Sequence, residues 1–504
     1  MHPAMLTMSP KRRRFVTAGV MTGMLLAALE ATVVGTAMPT IVAALGGLAH
    51  YSWVFSAYLL TSTVTVPVWG KLSDLFGRRR LFQIGVAVFL LGSAACGFAQ
   101  TMTQLIIARS VQGLGAGALV PLAMTIIGDI FTLEERAKMQ GLFSGVWGLS
   151  SIFGPIVGGF ITDQLSWRWV FLINLPVGIA AAIIIGVALV EPPRHEKPSI
   201  DYLGATVLTL AVTILLLVLG AQHLASPRNL VLIALVIGSL IWFIHIERHA
   251  KDPVVPLALF RNRVVAVAVG VGFLAGIAMF AAITFVPLLA QGVLGATATQ
   301  AGSFLTPLML SWVTVSIVGG RLLIRFGARV LVLIGLVLML GGFIALATFT
   351  RTTPRGLMIG ELIAIGSGLG LVMLTLLIAA QHSVAREQLG ITTSLNQFSR
   401  SIGGAIGVAI LGALLASGLA QFSQDPNALV NPEARAHMAP AELEQLQNAL
   451  QGTLRNIFAA SAVAVALAFL GALALPGGRI GETHTERMVM AEMTTIDAKH
   501  EPEG

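Results

Sequence analysis

The chain has 504 residues, a formal net charge of +8, 11% charged and 56% hydrophobic residues, and a mean hydropathy of +0.86. A water-soluble domain carries about 25% charged residues, so this composition excludes a soluble protein and a nucleic-acid-binding reading of the positive charge. The single cysteine, Cys96, lies in an apolar run and leaves neither a disulfide framework nor a cysteine metal site.

Lys11-Arg12-Arg13-Arg14 precedes the first apolar run, which is too long for a cleavable signal and lacks a cleavage site. A helix needs roughly 20 apolar residues to cross a bilayer. By that measure spans are expected at 15–38, 52–72, 80–99, 103–128, 138–161, 167–189, 202–221, 229–247, 264–289, 299–319, 330–348, 356–379, 391–418 and 455–476. An even number puts both termini on one side. Of the 31 basic residues, Arg168, Arg228, Arg351, Arg355, Arg435 and Arg455 fall on the far side and Arg109 and Arg400 within spans. The remainder crowds the near side, which is cytoplasmic by the positive-inside rule.

Between spans 2 and 3 stands Gly70-Lys71-Leu72-Ser73-Asp74-Leu75-Phe76-Gly77-Arg78-Arg79-Arg80. An offset of 250 carries Gly70, Leu72, Phe76 and Gly77 onto Gly320, Leu322, Phe326 and Gly327. The same offset carries Arg136 and Gly154 onto Arg386 and Gly404. One constant spacing at three separated places marks two copies of one unit. The expected architecture is therefore all-α and membrane-integral. A basic segment (1–14) leads a six-helix bundle (15–190). A linker with two extra helices (191–263) follows, then a second six-helix bundle (264–476) and a polar tail (477–504) expected to be disordered. Residues 419–454 are expected as a long external loop, in which the leucine spacing of 441–450 predicts a surface helix.

Further motifs stand in the first half. Span 1 holds Leu29-Glu30-Ala31-Thr32-Val33-Val34-Gly35-Thr36-Ala37-Met38-Pro39, and span 4 holds Arg109-Ser110-Val111-Gln112-Gly113-Leu114-Gly115-Ala116-Gly117. Span 5 holds Ser150-Ser151-Ile152-Phe153-Gly154-Pro155-Ile156-Val157-Gly158-Gly159, and Trp167-Arg168-Trp169-Val170-Phe171-Leu172-Ile173-Asn174-Leu175-Pro176-Val177-Gly178 follows. Together with the loop at 70–80, these resemble the motifs of the major facilitator superfamily and its fourteen-helix drug:proton antiporters. The likeness runs over residues 15–476. Glu30 replaces the family's aspartate, Gly35 its asparagine and Ser150 the first glycine of the antiporter motif.

The resemblance implies two six-helix bundles plus two central helices, rocking in alternating access. It implies a conformational latch at Gly70, Asp74, Gly77, Arg78 and Arg80, with Asp74 capping a helix of the other bundle. Ile324 at the repeat position makes that latch one-sided. Asp129, at the same end of span 4, is expected to pair with Arg78. Gly154, Pro155, Gly158 and Gly159 form the antiporter motif, which permits a kink and close packing.

The charges carry the coupling argument. A charge in hydrocarbon costs at least about 2.5–3.5 kcal/mol, so it persists where it is paired, wet or functional. Glu30 lies 16 residues past Arg14, roughly 24 Å along a helix and in the far half of the bilayer. Arg109 lies roughly 10 Å below the far surface. The two share a depth and are expected to line one cavity and act on each other's charge. The plainer alternative is a structural carboxylate satisfied by hydroxyls such as Thr32. The second bundle carries Ile359, Ala405 and Val408 where the first carries Arg109, Pro155 and Gly158. Coupling is therefore expected in the first bundle, with Arg400 as the exception in the second. Glu30, Arg109, Gln112 and Arg400 are the expected cavity residues, and Glu30 and Arg109 the coupling pair.

The expected function is proton-coupled export of lipophilic, cationic compounds across a bacterial inner membrane, with both termini cytoplasmic. The proton is the coupling ion and no cofactor is needed. Small lipophilic substrates and membrane lipid are the expected partners, and the monomer is the functional unit. A lipid or lipid-precursor exporter on the same scaffold is the alternative. A membrane enzyme and a proton-driven importer are weaker. The chain has no G-x-x-x-x-G-K-[ST] for ATP, and the span-5 motif belongs to antiporters.

Overall fold

The computed structural model describes residues 8–131, 133–189, 202–219, 227–250, 255–385, 388–420 and 432–477, with 253 and 429. Among them the long elements are all helices. α1 (Pro10–Leu45), α2 (Tyr51–Phe76), α3 (Arg78–Phe98), α4 (Met102–Ile130), α5 (Leu133–Gln164) and α6 (Asn174–Ala188) form a first set. α7 (Tyr202–Leu219) and α8 (Pro227–His249) follow. α9 (Arg263–Leu288), α10 (Ala298–Phe326), α11 (Ala328–Thr348), α12 (Arg355–His382), α13 (Leu389–Leu419) and α14 (Pro440–Ala472) form a second set.

Local chemistry starts and stops these helices. Ser9 caps α1 by accepting from the Arg12 amide, and Pro10 follows at the first helical position. Gly77 separates α2 from α3 at φ 92°, and Gly327 separates α10 from α11 at φ 78°. Only glycine adopts that region without strain, which explains why this residue recurs 250 positions on.

Twelve helices are long and apolar enough to cross a membrane, by length and composition and among the described residues. The fourteen-span reading adds α2 and α7. α2 falls short because Ser52, Ser56, Thr61, Ser62, Thr63 and Thr65 dilute its apolar side chains. Several of these hydroxyls are satisfied inside the helix: Thr61 donates to the Ala57 carbonyl at 2.9 Å and Thr65 to that of Thr61 at 2.7 Å.

Neighbours in the two sets correspond. α1 packs on α5 and α6, and α9 on α13 and α14; α4 packs on α2 and α3, and α12 on α10 and α11. Each set is a six-helix bundle. Arg13 pairs with Glu135 at 2.7 Å and Arg12 donates to the Ala188 carbonyl at 2.7 Å. These contacts gather the start of α1, the start of α5 and the end of α6 at one end, here termed the terminal face. The opposite end is the distal face.

The bundles meet along two seams, α5 against α10 and α2 against α13. Polar ties also join the two bundles in the distal half. The Tyr51 hydroxyl donates to the Thr284 carbonyl at 2.8 Å, Ser56 to the Ala405 carbonyl at 3.2 Å, and Gln291 to the Thr36 carbonyl at 2.8 Å. These ties hold the bundles together towards the distal face. α7 and α8 lie over the α2–α13 seam, where Val207, Leu208 and Phe243 pack with Leu60, Val64, Ile402 and Ala409.

The leucines at 441–450 belong to no separate surface helix. α14 runs unbroken from Pro440 to Ala472 and so takes up much of the expected 419–454 loop. Leu446, Leu450 and Leu454 are fully buried. This row packs on the end of α11, where Gln451 donates to the Phe349 carbonyl at 3.4 Å and Arg455 to that of Ala347 at 2.9 Å. The helix continues because burial of that row favours it. The tail after 477, residues 190–201, 251, 252 and 254, Arg386 and the Asp74 and Ile324 side chains lie outside the described residues.

Candidate functional site

A buried polar cluster sits inside the first bundle. α1 supplies Glu30 and α4 supplies Arg109 and Gln112, which share a face because they lie three residues apart. α3 supplies Ser93. A short helical turn, Trp169–Leu172, gives way to α6 at Asn174. At that break the Phe171 carbonyl accepts from the Ser93 hydroxyl at 2.8 Å.

Glu30 and Arg109 are each 2% exposed, and Gln112 and Ser93 are 0% exposed. Arg109 Nη1 donates to Glu30 Oε1 in a direct ion pair. Asn174 Nδ2 donates to Glu30 Oε2 at 2.7 Å. Both carboxylate oxygens are therefore taken, each by a donor. Arg109 also donates to Gln112 Oε1 at 2.7 Å and, from Nε, to the Val54 carbonyl of α2 at 3.2 Å. Its guanidinium lies 4.1 Å from the ring centre of Tyr58. Gln112 and Asn174 both donate to Ser93 Oγ, at 3.1 and 3.0 Å. Five helices thus meet on one carboxylate and one guanidinium.

The two charges that shared a depth are in contact. In this structure both are buried within the first bundle. Nor does Thr32 satisfy Glu30: its hydroxyl donates to the carbonyls of Leu29 at 3.1 Å and Ser150 at 3.2 Å.

The span-5 glycines have another use. A Cβ on Gly154 would fall 2.0 Å from Thr32 Oγ1, and one on Gly158 2.7 Å from the Val33 carbonyl, so both seat α1. Gly159 faces the other way, where a Cβ would fall 2.5 Å from the Ala298 carbonyl of α10. Pro155 lies on the same seam, its carbonyl 2.1 Å from a Cβ built on Gly302. The motif is the place where α5 holds its own bundle and touches the other.

At the terminal face Arg78 pairs with Asp129 and donates to the Thr125 carbonyl at 3.2 Å, tying the start of α3 to the end of α4. Gly70 accepts from the Ser73 hydroxyl at 2.6 Å, and Arg80 is exposed. Arg400 is not part of the Glu30 cluster; it donates to Gln397 one turn earlier on α13.

Asn174, Ser93 and Tyr58 were not among the expected site residues. Asn174 could have been found, as an amide inside an apolar span. A second omission corrects the view that Arg400 is the only charge kept inside the second bundle. Glu361 of α12 is 6% exposed and its Oε2 has no hydrogen-bond partner. A carboxylate inside an apolar run was the available signal. A cavity of about 500 Å³ opens between α11, α13 and α14, lined by Ala347, Gly418, Asn448, Thr453 and Arg455, away from the cluster. Among the described residues no three His, Cys, Asp or Glu gather to hold a metal ion.

Comparison with known proteins follows the same lines. The family model of the Major Facilitator Superfamily matches residues 20–408. The multidrug transporter protein MdtP of Bacillus subtilis (strain 168) is 41% identical over 459 residues, covering 90% of this chain and 85% of that protein. Multidrug resistance protein 3 of the same strain is 35% identical over 504 residues, covering 95% and 97%. Among solved structures, a bacterial homologue of the human lysosomal transporter Spinster, inward-facing and unoccupied, superposes with TM-score 0.66 at 17% identity, covering 92% of this chain and 98% of that one. A D-xylose–proton symporter gives 0.60 at 14%, covering 92% and 98%. At such identities the structures speak for the fold alone.

Proposed function

The chain belongs to the major facilitator superfamily, among proteins of the multidrug efflux type, and from that premise we propose that it exports lipophilic cations in exchange for protons. The observation that carries this reading is the sealed Glu30–Arg109 pair with a donor on each carboxylate oxygen. A proton arriving on Glu30 Oε2 meets the Asn174 N–H, donor against donor, and displaces it. A proton arriving on Oε1 displaces Arg109. The freed guanidinium still has Gln112 Oε1, the Val54 carbonyl and the Tyr58 ring in reach. Protonation therefore rearranges side chains from five helices at once, and so links charge to helix position. A cationic substrate and a proton compete for one anion, which is the coupling. The driving force includes about 2.3 kcal/mol per charge per 100 mV.

In this proposal the terminal face is cytoplasmic, the membrane is the bacterial inner membrane, and all fourteen helices cross it. Asp74 latches the terminal face and the monomer is the working unit. The names of the two Bacillus relatives favour drugs over a lipid precursor as cargo, and a transporter over an enzyme.

The test is transport by purified protein in proteoliposomes with an acidic lumen. A quaternary ammonium dye has no proton of its own, so a pH gradient cannot trap it passively. It is expected to accumulate in the lumen and to leak out when a protonophore is added. Accumulation indifferent to the gradient, or dependent on ATP, overturns the proposal.

The span count has its own check. Cys96 is fully buried and stays unlabelled. A cysteine at Arg228, at the start of α8, is expected to label from the same side as one at Thr352, and from the side opposite to one at Ser199. Labelling of Arg228 from the Ser199 side removes α7 and α8 from the membrane-crossing set.

A further inference from the structure

Asp163 stands in the last turn of α5, in the first bundle, yet both its oxygens serve the second. Oδ1 accepts from the Ala298 amide at 3.1 Å. Oδ2 accepts from the Thr299 amide at 2.8 Å and from the Thr299 hydroxyl at 2.5 Å. Ala298 and Thr299 open α10. The first amides of a helix have no intrahelical acceptor, and that end carries the positive pole of the helix dipole.

α10 closes a capping box on itself: Thr297 Oγ1 accepts from the Gln300 amide and Gln300 Oε1 from the Thr297 amide, each at 3.2 Å. The amides of Ala298 and Thr299 lie between these two and are satisfied from the other bundle. One turn before Asp163, Gly159 brings α5 against the Ala298 carbonyl, and one turn earlier the Pro155 carbonyl meets Gly302. Pro155, Gly159 and Asp163 recur every four residues, on one face of α5. The seam closes along that face and ends in a carboxylate.

The related seam lacks this device. The offset of 250 turns Pro155 and Asp163 into Ala405 and Ala413, and Gly302 into Ser52. α13 and α2 still touch, with a Gly412 Cβ falling on the Ser52 side chain and Ser56 donating to the Ala405 carbonyl. No carboxylate stands there, and α2 begins without a side-chain cap.

We propose that Asp163 is a one-sided latch that holds the bundles together at the distal face and is released when that face opens. The proposal rests on the alternating-access reading but not on the identity of cargo or coupling ion. When the seam parts, Asp163 and two α10 amides lose each other together, so the contact is made in one state only. Asp163 acts by positioning the bundles and touches no transported group.

The experiment is distance measurement by pulsed electron paramagnetic resonance on the full chain in lipid nanodiscs. Spin labels go on cysteines at Thr103 and Thr352 for the distal face, and at Arg14 and Arg325 for the terminal face; all four residues are exposed. Asp163→Ala is expected to raise the ratio of long to short distal distances about tenfold, the scale of losing charge-assisted bonds at a helix start, and to shorten the terminal pair. Asp163→Asn keeps one acceptor oxygen and is expected to shift the ratio less. Thr299→Val removes one bond of three, leaves both amides, and is expected to shift it in the same direction. Distances unchanged at both faces in folded Asp163→Ala overturn the latch. So does a spread at both faces together, which marks loosened structure. If Asp163→Ala does not fold, unchanged distances in Thr299→Val and Asp163→Asn overturn it. No substrate or gradient is present, so failure here is separate from failure of proton-driven transport.

Discussion

Glu30→Gln is expected to abolish gradient-driven accumulation of the quaternary dye while leaving slow downhill movement of a neutral substrate. The substitution keeps the shape and one carbonyl oxygen but removes the carboxylate and its negative charge. Arg109 then keeps its charge in a site 2% exposed, facing Gln112, the Val54 carbonyl and Tyr58 without a counter-ion. Removing one partner of a buried ion pair costs about 3–5 kcal/mol, because the other charge stays desolvated and unpaired. A lower melting temperature in detergent is therefore expected beside the loss of transport. Glu30→Gln with Arg109→Gln removes both charges, and is expected to recover much of the melting temperature and none of the coupling. That split separates a structural pair from a coupling pair. Glu30→Asp keeps the carboxyl, withdrawn by one methylene, and is expected to retain part of the activity. Wild-type protein in weakly buffered detergent is expected to release protons when the dye is added. Undiminished release from Glu30→Gln would place the coupling proton on another group.

Gly92→Ala is expected to cause a large loss of folded protein for a single added methyl. A Cβ there would fall 2.3 Å from the Gln112 nitrogen and 2.5 Å from its Cα. That atom is backbone and cannot swing aside, so α3 and α4 must part by about 1 Å, and overpacking of this kind costs typically about 1–3 kcal/mol. The helices cannot part locally. A Cβ built on Gly85 of α3 would fall 2.4 Å from the Ala118 Cβ, and one built on Gly115 of α4 would fall 2.2 Å from the Phe89 nitrogen, so the two helices touch closely along their length and the whole interface shifts. Gln112 then moves away from Arg109 and Ser93, and transport falls with stability. Gly341→Ala on α11 is the control, with nothing within 4 Å of the added methyl. There alanine's better helix propensity, by about 0.8–1.0 kcal/mol in an exposed helix, predicts an unchanged or raised melting temperature. Equal melting temperatures and equal transport in the two variants would contradict this account of the glycines.

Part of the site was legible before any coordinates. Glu30 and Arg109 stand out because a charge in an apolar run is expensive, and the rise of 1.5 Å per residue puts both at one depth. Asn174 and Ser93 did not stand out, because single neutral polar groups are common in membrane helices and carry no period. Glu361 is legible by the same cost argument, as a carboxylate in the apolar run of α12. The leucines at 441–450 displayed helical spacing, but spacing cannot tell a free surface helix from the first turns of a longer one. Burial of Leu446, Leu450 and Leu454 on the end of α11 decides that.

The sequence alone determined the apolar runs, the glycine turns at 77 and 327 and the 250-residue repeat, because these depend on composition, backbone freedom and chain order. Tertiary structure decided which polar groups meet. Each residue turns a helix by about 100°, so a small rotation or shift of α6 against α1 moves Asn174 onto Glu30 or away from it. Depth along the bilayer is set by counting residues, whereas direction around the axis is set by packing. Asp163 lies in a stretch that reads as an ordinary helix end, and its partners open a helix 135 residues later in the other bundle. Their meeting depends on Gly159 letting α5 and α10 approach, a property of two helices together that neither stretch carries by itself.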